Sequence, residues 1–216
     1  MKYGESTFDI LYLALAIFCG CRMLKKARNR TEKRMGLAVL ILGLGDAFHL
    51  VPRVLNYFVE ADFTAALGVG KLVTSLTMTV FYVLLYFLWR DVYAQPERRS
   101  LTCAVWVLAA LRLVLCLFPQ NGWLQNSSDV TWGILRNLPF TALGVLIIVL
   151  YFRQRQGFPP FRHIWLYVTL SFLFYLPVAV GAGLLPILGM LMLPKTVCYI
   201  LMILIFDRVV RRGELA

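Results

Sequence analysis

Read in windows of about 20 residues, the chain divides into seven apolar stretches, at 8–22, 35–59, 63–89, 101–118, 130–152, 163–181 and 186–206. Each predicts a membrane-spanning helix. Charges or turn residues separate them, except between the last two, where only GAGLLP at 181–186 marks a boundary, with Gly181, Gly183 and Pro186 as helix-ending residues. No linker, internal repeat or low-complexity tract interrupts the chain, so residues 1–216 are expected to form one transmembrane helical domain.

Polar residues inside these stretches break the pattern in a regular way. At about 100° per residue, Asp46, His49, Arg53 and Asn56 fall within an arc of about 80°, which makes one face of the second helix polar. On the third helix, Lys71, Thr74, Ser75, Met78, Thr79, Tyr82 and Tyr86 follow one another at steps of three or four. The fifth adds Arg136 and Asn137 ahead of Pro139, and the seventh adds Pro194, Lys195, Thr196 and Tyr199. These four faces are expected to converge on one polar interior.

Composition fixes the class. With 60% hydrophobic and 15% charged residues, and a mean hydropathy of +0.74, the chain has too little polar surface to cover its apolar mass in water. An all-α, polytopic membrane bundle of about seven helices is the expected fold.

Charge adds the threading. Of 22 Lys and Arg, sixteen fall in the connection CRMLKKARNRTEKRMG, in the segments near 90–99 and 153–162, and in the C-terminal tail. A seven-helix path brings all of these to one side, while the opposite connections VEADF and PQNGWLQNSSDV have none. By the positive-inside rule the N-terminus is expected outside and the C-terminus in the cytoplasm. The only positive charge before the first apolar stretch is Lys2, unlike a cleaved signal, so that helix is expected to stay. Anionic membrane lipid explains the net charge of +11, so no nucleic-acid partner is expected.

Five cations remain inside helices: Arg53, Lys71, Arg112, Arg136 and Lys195, the last near the middle of its stretch. A charge at the membrane centre costs roughly 2.5–3.5 kcal/mol, less near the ends, where long side chains snorkel. The only deep carboxylate is Asp46, an imbalance that points to an anionic guest. One alternative pairs Arg53, Lys71 and Arg136 with Asp9, Glu60, Asp62 and Asp129, and Asp46 with Lys195 or His49.

Other chemistry has little to stand on. Asp46 and His49 supply two ligands where a metal site needs three or four. GVGK at 68–71 lacks the spacing of a phosphate loop and reads as a packing feature, as do Gly43 and Ala47 at small-xxx-small spacing. His163, beside a basic loop, reads as solvated or interfacial. Lys195 stands where a retinal Schiff base would be held in a seven-helix pigment, but no carboxylate accompanies it on the third helix. The five cysteines lie in or beside helices and predict no extracellular disulfide. NSS at 126–128 is a formal glycosylation acceptor.

The segments MGLAVLILGLGDAFHL and LGVGKLVTSLTMTVFYVLLY, within residues 35–86, resemble the membrane lysoplasmalogenase (YhhN-like) family, whose members carry Gly-Asp in an apolar helix ahead of a glycine-rich, aromatic-ended one. The resemblance implies acid-catalysed hydrolysis of a lysophospholipid vinyl ether, with Asp46 as one of two catalytic aspartates. It also implies eight helices. The second aspartate has no counterpart, since Asp129 and Asp207 lie at helix ends.

Three functions follow as expectations. The first is an outward-facing cationic cavity that binds, transports or senses a small anion or lipid head group through Arg53, Asn56, Lys71, Ser75, Arg136, Asn137, Lys195 and Tyr199. The second is a membrane-embedded lipid hydrolase using Asp46 and His49, with no cofactor or metal. The third is a structural or partner-binding protein whose charges pair internally. Sensing would require a cytoplasmic protein partner, because no signalling domain is attached.

Overall fold

A computed structural model describes residues 2–126, 129–181 and 186–215. Seven α-helices carry the fold: α1 (Lys2–Lys26), α2 (Arg30–Phe58), α3 (Thr64–Val92), α4 (Arg99–Leu117), α5 (Val130–Arg153), α6 (Ile164–Gly181) and α7 (Met192–Arg212). Short 3-10 turns lie at Pro119–Asn121, Pro159–Phe161 and Pro186–Leu191, and no strand occurs among the described residues. Among the described residues, seven helical segments are long and apolar enough to cross a membrane, as in a multi-pass membrane protein. Large apolar side chains such as Leu44, Phe48, Val107, Leu111, Val145 and Leu173 are exposed on the helix exteriors, where hydrocarbon rather than water suits them.

Two boundaries differ instructively from the hydropathy reading. α1 runs through Lys25 and Lys26, and α2 starts at Arg30, five residues before its apolar stretch. Asn29 caps α2 by accepting from the Glu32 amide at 2.9 Å, and the Glu32 carboxylate accepts from the Arg28 amide at 2.7 Å. A hydropathy window finds apolar length, whereas a helix continues through polar residues until its caps. At the other end of the chain, the 181–186 break lies mostly outside the described residues. Beyond it, α7 begins at Met192 rather than 186, because Pro194 fits the first turn of a helix and Pro186–Leu191 winds as 3-10. Lys195 is therefore in the first turn of α7 and not midway along it, which removes the positional argument for a Schiff-base lysine.

The helices pack in sequence, α1 on α2, α2 on α3 and onward to α6 on α7, and α1 closes the ring against α7. α3 also reaches α5, so it lines the middle of the bundle. Glycine permits the close α2–α3 approach: a Cβ on Gly70 would lie 2.2 Å from the Phe48 carbonyl oxygen, and one on Gly45 would lie 2.0 Å from Thr77 Oγ1. Gly43 similarly meets Ala16 of α1. Both glycines of GVGK are thus packing positions, since a Cβ on Gly68 would sit 1.5 Å from the carbonyl oxygen of Trp123 in the α4–α5 connection.

The two ends of the bundle differ in chemistry. At the end carrying the basic connections, buried Asp207 binds Arg22 of α1 at 2.5 Å and Arg211 at 2.8 Å, and Arg34 pairs with Asp91 between α2 and α3. Gly213, with φ of 64°, closes α7 in the left-handed conformation that glycine adopts without strain. The middle is aromatic, with Tyr82 edge-on to Phe140 and Phe172 at 5.1 and 5.5 Å between ring centroids. At the opposite end, the Thr64 side chain and then its amide, which donates at 2.8 Å, hold the Asp62 carboxyl below the usual range. The helices part there around a cavity.

Candidate functional site

Four elements bring cations to this cavity of about 540 Å³: α3 supplies Lys71, α4 Arg112, α5 Arg136 and α7 Lys195. Trp123, Asn126 and Asp129 come from the α4–α5 connection, and Phe140 and Tyr175 form an apolar side. This size lies within the range of pockets for small organic ligands.

Each cation is held by neutral groups. Lys71 Nζ donates to Asn126 Oδ1 at 2.7 Å. Arg112 Nη1 donates to Asn137 Oδ1 at 2.8 Å and to the Arg136 carbonyl, and its guanidinium lies 5.0 Å from the centre of the Phe140 ring. Arg136 Nη1 donates to Asn121 Oδ1 at 2.7 Å while its guanidinium stacks over Trp123 at 4.4 Å. Lys195 Nζ lies over the rings of Tyr175 and Tyr199 at 4.6 and 5.7 Å.

These partners are themselves fixed. Asn121 Nδ2 donates to the Leu115 and Phe118 carbonyls, each at 2.8 Å, and Trp123 Nε1 donates to the Cys116 carbonyl at 2.8 Å. Asn137 Nδ2 donates to the Gly133 carbonyl at 2.9 Å, and its Oδ1 also accepts from the Tyr175 hydroxyl at 2.7 Å. The cations are therefore oriented before any guest arrives.

Among the described residues no carboxylate forms an ion pair with any of the four. Asp129, the one acid on the wall, uses Oδ1 to cap α5 at the Thr131 amide, 2.7 Å away. Arg112 is only 1% exposed, and its Nε is buried with no hydrogen-bond partner. Magnitudes decide what this means. Taking an ion out of water costs several kcal/mol, a cation–π contact returns about 0.5–2, and a hydrogen bond to a charged group about 1.5–3. Neutral partners orient these charges without neutralising them.

The residues singled out in the sequence divide into three groups. His49, Lys71, Ser75, Arg136, Asn137 and Lys195 lie together on the wall. Tyr199 and Asp46 lie off it: Tyr199 is buried beneath Lys195, 3.5 Å from the Tyr82 hydroxyl, and Asp46 accepts from the Tyr12 hydroxyl at 2.6 Å. Arg53 and Asn56 are elsewhere, because the last turns of α2 lie toward the start of α1. There Arg53 pairs with Glu5, whose other oxygen accepts from the Tyr57 hydroxyl at 2.9 Å, and Asn56 is exposed. Among the described residues none of Asp9, Glu60, Asp62 and Asp129 forms an ion pair with Arg53, Lys71 or Arg136, and Asp46 forms none with Lys195 or His49.

Arg112 stands out in the sequence as a lone charge in α4, but its place on this wall follows only from helix packing. Trp123 and Asn126 carried no periodic signal because they belong to a connection. Tyr175 is an aromatic residue within an apolar helix and carries no charge that would mark it in the sequence. His163 is exposed at the start of α6, and the acceptor triplet at 126–128 extends beyond the described residues at its two serines. No family model, curated protein or solved structure matches the chain.

Proposed function

We propose that the cavity binds an anion, either a small metabolite or the head group of a lipid. The observation that carries this reading is the set of four cations, Lys71, Arg112, Arg136 and Lys195, held in position by amides, carbonyls and aromatic rings and without carboxylate partners. Preorganised donors of one sign attract the opposite charge at little reorganisation cost. Asn126, Asn137 and Ser75 add neutral donors for orientation.

The positive-inside threading puts the cavity on the outer side, with the N-terminus outside and the C-terminus in the cytoplasm. The cavity then meets guests from outside or from the outer leaflet. The hydrolase reading has less support, because Asp46 is engaged by Tyr12 and is not on the wall beside His49.

A ligand that binds only the folded state stabilises it by RT ln(1 + [L]/Kd), about 2.7 kcal/mol at a hundredfold excess over Kd. Melting curves in detergent with added inorganic phosphate should therefore shift upward for the wild type. For Lys71→Gln and Arg136→Gln the shift should shrink. Equal shifts in all three proteins, or none in the wild type, would refute the proposal.

A further inference from the structure

We infer that the guest is an organic phosphate monoester, a dianionic head on an apolar body, rather than a bare inorganic anion or a monocarboxylate. This deepens the anion-binding reading and rests on it. The reason lies in how the four cations are distributed.

Arg112 donates to the Arg136 carbonyl, and Arg136 and Lys71 are held by two residues of one turn, Trp123 and Asn126, whose amide donates to the Trp123 carbonyl at 3.1 Å. Three cations in one corner are not balanced by one negative charge. A phosphate monoester carries about −1.5 to −2 near neutral pH and presents three acceptor oxygens. Guanidinium groups match such oxygens in direction as well as charge.

Lys195 is linked to Arg112 by an aromatic bridge. The Phe140 ring contacts the Arg112 guanidinium at 5.0 Å, the Phe140 and Tyr175 rings are edge to face at 6.0 Å between centroids, and Lys195 Nζ lies 4.6 Å from the Tyr175 ring. A ligand whose head sits on the trio would lay its body against Phe140 and Tyr175. Inorganic phosphate would leave that surface unused, and a monocarboxylate would leave the trio under-neutralised.

Calorimetric titration of the full-length protein in detergent at pH 8, where the monoester is a dianion, separates these terms. The probes are phenyl phosphate, benzoate, which has the same ring and a single charge, and inorganic phosphate, which has the head without the body. Phenyl phosphate should bind at least about tenfold more tightly than either of the others, a difference of about 1.4 kcal/mol. Lys71→Gln should remove most of the advantage over benzoate while leaving benzoate binding in place, which also shows that the variant is folded. Tyr175→Leu should reduce the advantage over inorganic phosphate. Benzoate binding as tightly as phenyl phosphate overturns the dianion inference and leaves the anion-binding reading standing. Inorganic phosphate binding as tightly as phenyl phosphate overturns the organic body. No binding by any of the three overturns both.

Discussion

Arg112 is the residue at which function and stability oppose each other most sharply. Its guanidinium is 1% exposed and meets only neutral partners. Replacing buried ionic groups by apolar residues of similar volume is often neutral or stabilising by about 1–4 kcal/mol. Asn137 Oδ1 would not be orphaned, since it also accepts from Tyr175. Arg112→Met is therefore expected to melt at or above the wild-type temperature without added anion, and to lose the anion-dependent shift. A variant that melts several degrees lower in anion-free buffer would instead mark Arg112 as a structural tie. Arg53 shows the contrasting case. It pairs with Glu5 at a partly exposed site, 24% and 20% exposed, where a pair contributes about 1 kcal/mol or less. Arg53 shares a helical arc with His49 in the sequence, but angle alone does not say which neighbouring helix each turn faces.

At the level of elements, glycine and capping decide how the cavity is framed. Gly68 admits the carbonyl of Trp123, and Trp123 in turn supports Arg136. Gly68→Ala forces a backbone shift in the α4–α5 connection and is expected to cost about 1–3 kcal/mol. Because the displaced strap carries Trp123 and Asn126, anion-dependent stabilisation should fall as well. Gly4→Ala, where nothing lies within 4 Å in α1, serves as the control and should not lower the melting temperature or the anion-dependent stabilisation. At the opposite end, Asp207→Asn removes the carboxylate that ties α1 to α7 through Arg22. Given the partial exposure of both arginines, it should cost about 1–3 kcal/mol, read as a lower melting temperature with anion affinity unchanged.

For the whole molecule, hydropathy made most of the architecture legible: seven helices and their order. The start of α7 was not legible, because an apolar 3-10 turn and an apolar helix have the same hydropathy, and only Pro194 marks the difference. The cavity was half legible. Lys71, Arg136, Asn137 and Lys195 stand out as polar groups in apolar helices, whereas Trp123, Asn126 and Tyr175 join them only through tertiary packing. The threading itself makes a prediction. A reporter active only in the cytoplasm should work when fused to the C-terminus and fail in the 118–129 connection. The reverse result would turn the bundle over and direct the cavity toward the cytoplasm.

The most direct test of an anion-binding cavity is mass spectrometry of what co-purifies with the protein in mild detergent, comparing wild type, Lys71→Ala and Arg53→Ala. The account predicts a specific anionic metabolite or lipid in the wild type, retained in Arg53→Ala because that arginine is spent on Glu5, and lost in Lys71→Ala. All three preparations equally empty, or Lys71→Ala retaining the same anion as the wild type, would contradict it.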